Sequence, residues 1–333
     1  MSRLRIIKIL FFFAGLALLY LVVRAIDLGE VVELVGRVGW GFAVVVGLYF
    51  AAFAVDSVTW LMALPVAPLN IRWMWRTWAV RMVGEAFNNV VPAAGFGGEP
   101  VKAMLLKRHY HIGYGDAVTS LILAKTINLV SLCLFLSLGF VLMVLSSKLP
   151  DAFKQAAGAG LAATVGATLL FYAVQRYKLA TRLGGRLGRT RWRHWVETGL
   201  AHVEAIDDRL AGFYAAYRRR FVGAVLLALV NWALGAIELY YAARFLGQPI
   251  SMTDAWIIES VAQMVRSAAF FVPLAVGIQE GTFLLVAGMI TGSPELGLAM
   301  AVVRRGREII WILAGALLAG GYALRRGPVS RLP

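Results

Sequence analysis

The sequence predicts an all-α fold, a polytopic membrane helical bundle, from three observations: its composition, the length of its apolar runs and the placement of its basic residues. Of 333 residues, 60% are hydrophobic and 15% charged, with a mean hydropathy of +0.74, against roughly 45–50% apolar and about 25% charged in a soluble domain. One globule cannot bury that excess. Lipid accepts it in helices of about 20 mostly apolar residues whose backbones satisfy their own hydrogen bonds. The formal net charge of +15 would suit nucleic acid in a soluble protein. Here the basic residues sit between apolar runs, where they set orientation and meet anionic headgroups, so no nucleic acid partner is expected. The single cysteine, Cys133, lies inside an apolar run, which excludes an intramolecular disulfide and a cysteine-based metal site.

Six stretches are apolar enough to cross, about 6 to 23, 41 to 64, 117 to 145, 156 to 175, 221 to 246 and 298 to 323. The first follows Arg3, Arg5 and Lys8 as a signal peptide would, yet it is longer than a signal core, so a retained helix is expected. Lys and Arg accumulate on cytoplasmic loops. They do so before the first run, after the last (Arg325, Arg326, Arg331) and densely between 176 and 220. The connections 24 to 40, 146 to 155 and 247 to 297 hold few basic residues, five against eight acids in all, which places them outside and both termini inside. The connection 176 to 220 spaces Trp192, Trp195, His202, Ile206 and Leu210 among arginines, as an amphipathic helix on the inner leaflet would; a solvated charged loop is the other reading. The whole is read as one integral membrane domain, with a first half at about 1 to 175 and a second at about 221 to 333.

Two further stretches, about 73 to 112 and 250 to 295, are hydrophobic but interrupted by Gly, Pro and charge, and they carry a weak internal repeat. In the first, Asn88 and Pro92 precede Gly97, Gly98 and Glu99; in the second, Pro273 precedes Gly277 and Glu280. Each proline is followed seven residues later by a glutamate, and a basic residue follows in the next apolar run: Lys125 in one, Arg304, Arg305 and Arg307 in the other. Proline removes a backbone donor and glycine permits unusual backbone angles, so both suit a hairpin of two half-helices. Broken backbone at membrane depth is tolerated only when buried in protein or lining a wet cavity. With charge placing one hairpin on each face, the expectation is about six spanning helices plus two re-entrant hairpins in a pseudo-symmetric inverted repeat, enclosing a cavity near the midplane.

A charge at the centre of a spanning helix costs roughly 2.5–3.5 kcal/mol on insertion scales. Lys125, Arg304, Arg305 and Arg307 should therefore be paired or face a cavity, with Glu99, Glu280 and Glu308 as partners. Glu99 and Lys102 are expected toward the cytoplasmic side, Glu280 with Arg304 or Arg307 toward the outer side, and Lys125 between. A mixed but net positive cavity is expected, suited to an anionic headgroup. Asp56 and Glu238 fit either structural polar contact or cavity lining. His109 and His111 sit among basic residues and are not expected to bind metal; Asn128 and Asn231 are expected to bond between helices.

The run Gly84-Glu85-Ala86-Phe87-Asn88, the segment from Pro92 through Gly97-Gly98-Glu99-Pro100-Val101-Lys102, and Pro273 with Gly277 and Glu280 resemble the lysylphosphatidylglycerol synthase transmembrane region, a flippase-like family, over nearly the whole chain. The segment from Gly98 to Tyr110 is also similar to its hopanoid-biosynthesis-associated branch. The resemblance implies movement of an anionic or polycyclic lipid between leaflets of a bacterial inner membrane, beside lipid-biosynthesis enzymes as partners. Larger members append a soluble aminoacyltransferase, whereas this chain ends at Pro333 soon after its last helix, so lipid aminoacylation is not expected. No catalytic residue, cofactor or metal is expected, and no nucleotide-binding motif is present. Two other readings stay open: a membrane enzyme using Glu99 or Glu280 as acid or base, and a scaffold recruiting lipid-modifying enzymes through 176 to 220.

Overall fold

The computed structural model describes residues 28–90, 97–178, 193–269 and 277–324. The expected first span, Pro92 and Pro273 lie outside the described residues. Among the described residues the chain is helical throughout, with eleven helices and no strand. Four of these are long and apolar enough to cross a membrane: α2 (Gly41–Met62), α5 (Tyr114–Leu145), α6 (Asp151–Arg176) and α8 (Arg218–Phe245). The chain is a polytopic helical membrane protein.

The other elements are α1 (Leu28–Arg37), α3 (Ile71–Val90), α4 (Glu99–Tyr110), α7 (Arg193–Ala216), α9 (Met252–Ala268), α10 (Ile278–Thr291) and α11 (Pro294–Leu324). Helix α11 is long enough to cross, but Arg304, Arg305, Arg307 and Glu308 fall at its middle. The expected outer connection 24 to 40 holds a helix instead of only loop: α1 buries Val31 and Leu34. Between 176 and 220, Trp192 lies outside the described residues, and the chain forms a helix, α7, in place of a solvated loop. Its Leu210 and Phe213 are buried, Arg209 pairs with Asp116 at 3.1 Å, and Tyr214 donates to Gln175 Oε1 at 2.8 Å. Burial pushes the Tyr214 phenol up to about 12, so it remains a neutral donor at any physiological pH.

The two interrupted stretches are helix pairs, α3 with α4 and α9 with α10. Local chemistry sets their ends. Ser251 and Asp254 form a reciprocal cap on α9, with Asp254 N–H donating to Ser251 Oγ at 3.0 Å. Helix α10 starts at Gly277, where φ is +77°, a left-handed angle that favours glycine; the Gly277 N–H donates to Glu280 Oε2 at 2.8 Å. A side chain clasps each pair across its break. Asn88 Oδ1 accepts from Gly98 N–H at 2.7 Å, and Arg266 donates to Gln279 Oε1 at 3.1 Å.

The pairs open toward opposite ends of the bundle. Near the start of α3 and the end of α4, Arg76 lies over the rings of Trp73 and Tyr110, 5.0 Å from each. The Tyr110 hydroxyl there meets that of Tyr322, late in α11, at 2.6 Å. Helix α5 begins at this end and runs to the other, where Lys148 binds Asp254 in the first turn of α9 at 2.8 Å. The starts of α3, α4 and α5 recur at α9, α10 and α11, displaced by 181, 179 and 180 residues (71 to 252, 99 to 278, 114 to 294). With α2 matching α8, the chain holds two four-helix units in inverted orientation.

Candidate functional site

The ends of the two helix pairs meet around a cavity of about 1060 Å³, at the upper end of the roughly 300–1,000 Å³ typical of small-molecule sites. Its wall draws on both units and on α6, which lends Gly160, Ala163, Thr164 and Ala167. Among the described residues, twelve charged side chains line it. Arg81, Lys102, Lys125, Arg266, Arg304 and Arg307 are the six cations; Asp56, Glu85, Glu99, Glu238, Glu259 and Glu308 are the six carboxylates. The expected net positive chamber is corrected: the wall is formally balanced. Acids from α2, α3, α8 and α9, remote in sequence from the basic residues singled out, supply the difference.

Ion pairs follow helix packing. In the first unit Arg81 of α3 pairs with Asp56 of α2, whose Oδ1 also accepts from Asn128 of α5 at 3.5 Å. Lys102 binds Glu99 one turn away at 3.0 Å, and its methylenes lie where any side chain on Gly84 would project. Gly98 has no such room, because a Cβ there would run into the backbone carbonyl of Gly84. The glycine lets α4 start hard against α3.

In the second unit Arg304 binds Glu259 of α9 at 2.9 Å, and Gln263 donates to the same Oε1 at 2.6 Å. Arg307 pairs with Glu238 of α8 and lies over the Tyr49 ring, 3.6 Å from its centroid. Arg305 bridges Glu280 at 2.6 Å and Glu308 at 2.8 Å, and Arg266 reaches Glu308 at 3.4 Å. Of the expected acidic partners, Glu280 and Glu308 both go to Arg305, whereas Arg304 and Arg307 take Glu259 and Glu238, which were not among them. All of these cavity-side ion pairs remain within a single unit.

Of the residues expected at the site, Asn88, Glu99, Lys102, Lys125, Arg304, Arg307 and Glu308 are in the wall. Glu280, buried and paired with Arg305, is not in the wall, nor is Gly97, and Gly98 and Gly277 sit at the starts of α4 and α10 without lining it. Pro92 and Pro273, expected to break the hairpins, lie outside the described residues. Sequence reasoning missed Arg81, Glu259, Gln263 and the aromatic Tyr49 and Trp311 as wall residues. Three wall residues each nine-tenths buried or more keep a polar atom without a hydrogen-bond partner: Arg307 Nε, Trp311 Nε1 and Glu259 Oε2. His109 stands edge-on to Tyr322, ring centroids 5.1 Å apart. Among the described residues no group of three or more His, Cys, Asp or Glu is placed to hold a metal.

The family model for the lysylphosphatidylglycerol synthase TM region matches residues 5–316. No curated protein and no solved structure matches the chain.

Proposed function

Since the chain belongs to the lysylphosphatidylglycerol synthase TM region family, we propose that it moves a lipid between the leaflets of a bacterial inner membrane by passing the headgroup through the central cavity. The observation that carries this reading is the meeting of two oppositely directed helix pairs at one charged chamber. Such pairs act as re-entrant hairpins in a bilayer, each half-spanning it from its own face, and an inverted repeat around a midplane site is the arrangement alternating access uses. Burial of ionisable side chains at membrane depth is costly and marks a pathway for polar cargo. The cargo is a lipid with a phosphate head, or a polycyclic lipid of the hopanoid kind with a polar head. Both termini face the cytoplasm, in keeping with the basic residues at 3, 5, 8 and beyond 324.

The reading is of a carrier and not of an enzyme. Carboxylates such as Glu99, Glu238 and Glu259 are committed to Lys or Arg partners, which suits holding a charged head more than proton transfer.

The test is lipid transfer in proteoliposomes with a fluorescent phospholipid and a membrane-impermeant quencher. Glu99→Gln and Glu280→Gln are each expected to slow transfer while the purified protein keeps its folded elution profile. Undiminished transfer in both variants would remove the proposed site, and chemical conversion of the lipid by the purified protein would replace transport with catalysis.

A further inference from the structure

The charge balance of the wall constrains what the chamber can take. Two unit charges 4 Å apart interact by about 4 kcal/mol at the effective dielectric of a protein near its surface, and by more where water is excluded. A headgroup with a net charge therefore leaves that charge uncompensated among six cations and six carboxylates, five of each already joined to one another in ion pairs. A headgroup with both signs does not.

The unpartnered atoms are also of both kinds. Among the wall residues at least nine-tenths buried, Arg307 Nε and Trp311 Nε1 are donors left without acceptors, and Glu259 Oε2 is an acceptor left without a donor; Arg81 Nε, on a less buried side chain, is a further donor. A buried polar group without a partner costs roughly 1–3 kcal/mol, so each has a reason to take a ligand of opposite character. Phosphate oxygens suit the first two, an ammonium N–H the third. The Tyr49 face is taken by Arg307, but Trp60, Phe171 and Trp232, also in the wall, are rings of the kind that attract a cation.

Resting on the transport reading above, we propose that the chamber selects a zwitterionic, overall neutral headgroup, its phosphate held at Arg307 and Trp311 and its ammonium at Glu259. The same chemistry is offered by a phospholipid head and by free phosphoethanolamine in solution.

The decisive comparison uses the unaltered protein in proteoliposomes with phosphatidylethanolamine and phosphatidylglycerol carrying the same labelled acyl chain. The zwitterion is expected to move about tenfold faster, a difference of about 1.4 kcal/mol. Phosphatidylglycerol moving as fast or faster overturns the zwitterion assignment while leaving transport standing. If neither lipid moves, transport itself fails. Should free phosphoethanolamine raise the melting temperature of the detergent-purified protein while phosphatidylethanolamine stays in its leaflet, the chamber's chemistry stands and the lipid reading falls. Glu259→Gln is expected to bring the ratio of the two lipid rates toward one, and a ratio left at its original value would remove Glu259 from the role.

Discussion

Glu238 and Arg307 are each only 5% exposed, so losing either one strands the other charge in a medium that solvates it poorly, at about 3–5 kcal/mol. Glu238→Ala is expected to lower the melting temperature of the purified protein sharply, and joining it to Arg307→Met should recover part of the loss. A double variant no more stable than the single one would show that the pair's charges are not what matters there. The glycines of the first helix pair offer a second contrast. Gly98→Ala drives a methyl into the Gly84 carbonyl and should abolish accumulation of folded protein, whereas Gly84→Ala meets only the bendable Lys102 chain and should be milder; equal effects would refute this. Lys125, Arg304, Arg307 and Glu308 were legible because a charge in an apolar run stands out. The partners of Arg304 and Arg307 were not, since Glu259 and Glu238 lie 45 and 69 residues away and helix packing, not spacing, brings them close. Arg81 was hidden for the opposite reason: in a stretch already rich in charge, one more has no contrast.

Helices α2 and α8 lie close enough that a Cβ on Gly41 would enter the ring of Phe245, itself edge-on to Trp40 with centroids 5.4 Å apart. Overpacking of this kind costs typically 1–3 kcal/mol. Gly41→Val should destabilise the protein by about that much, and adding Phe245→Ala should relieve the strain, both read by thermal unfolding in detergent. Removing the cap of α9 by Ser251→Ala should cost about 1 kcal/mol. At this scale the sequence was easy to read where the apolar run was long: α2, α5, α6 and α8 fall within a few residues of their expected bounds. Helix α1 went unread because ten residues are too few to cross a membrane, although Val31, Leu34, Val35 and Val38 carry its amphipathic spacing. The Pro-to-Glu interval marked the start of α4 and α10 because a helix N-terminus favours an acid in its first turn, and Glu99 and Glu280 occupy that turn.

For the molecule as a whole, the inverted placement of the helix pairs predicts opposite accessibility for their outer ends. With Cys133 replaced by alanine, Asn70→Cys before α3 and Thr291→Cys at the end of α10 should react with an impermeant thiol reagent from opposite sides of sealed vesicles. Labelling of both from one side would dismantle the inverted arrangement and the transport proposal with it.

The confinement of each cavity-side ion pair to its own unit also has a mechanical meaning. Where the units touch, the surfaces are largely aromatic or small: Trp311 against Tyr49 and Phe53, with centroids 4.8 and 5.7 Å apart, and Gly315 against the Met82 carbonyl and Ala86. Sliding one unit past the other would break none of those charge pairs; it would cost instead neutral hydrogen bonds such as Tyr110 to Tyr322 and Trp232 to Ser131 and the stacking of Arg307 on Tyr49. The Lys148 to Asp254 bridge, which runs from just past the end of α5 to the first turn of α9, does join the units at the rim, so parting the halves at that end would have to break an ion pair.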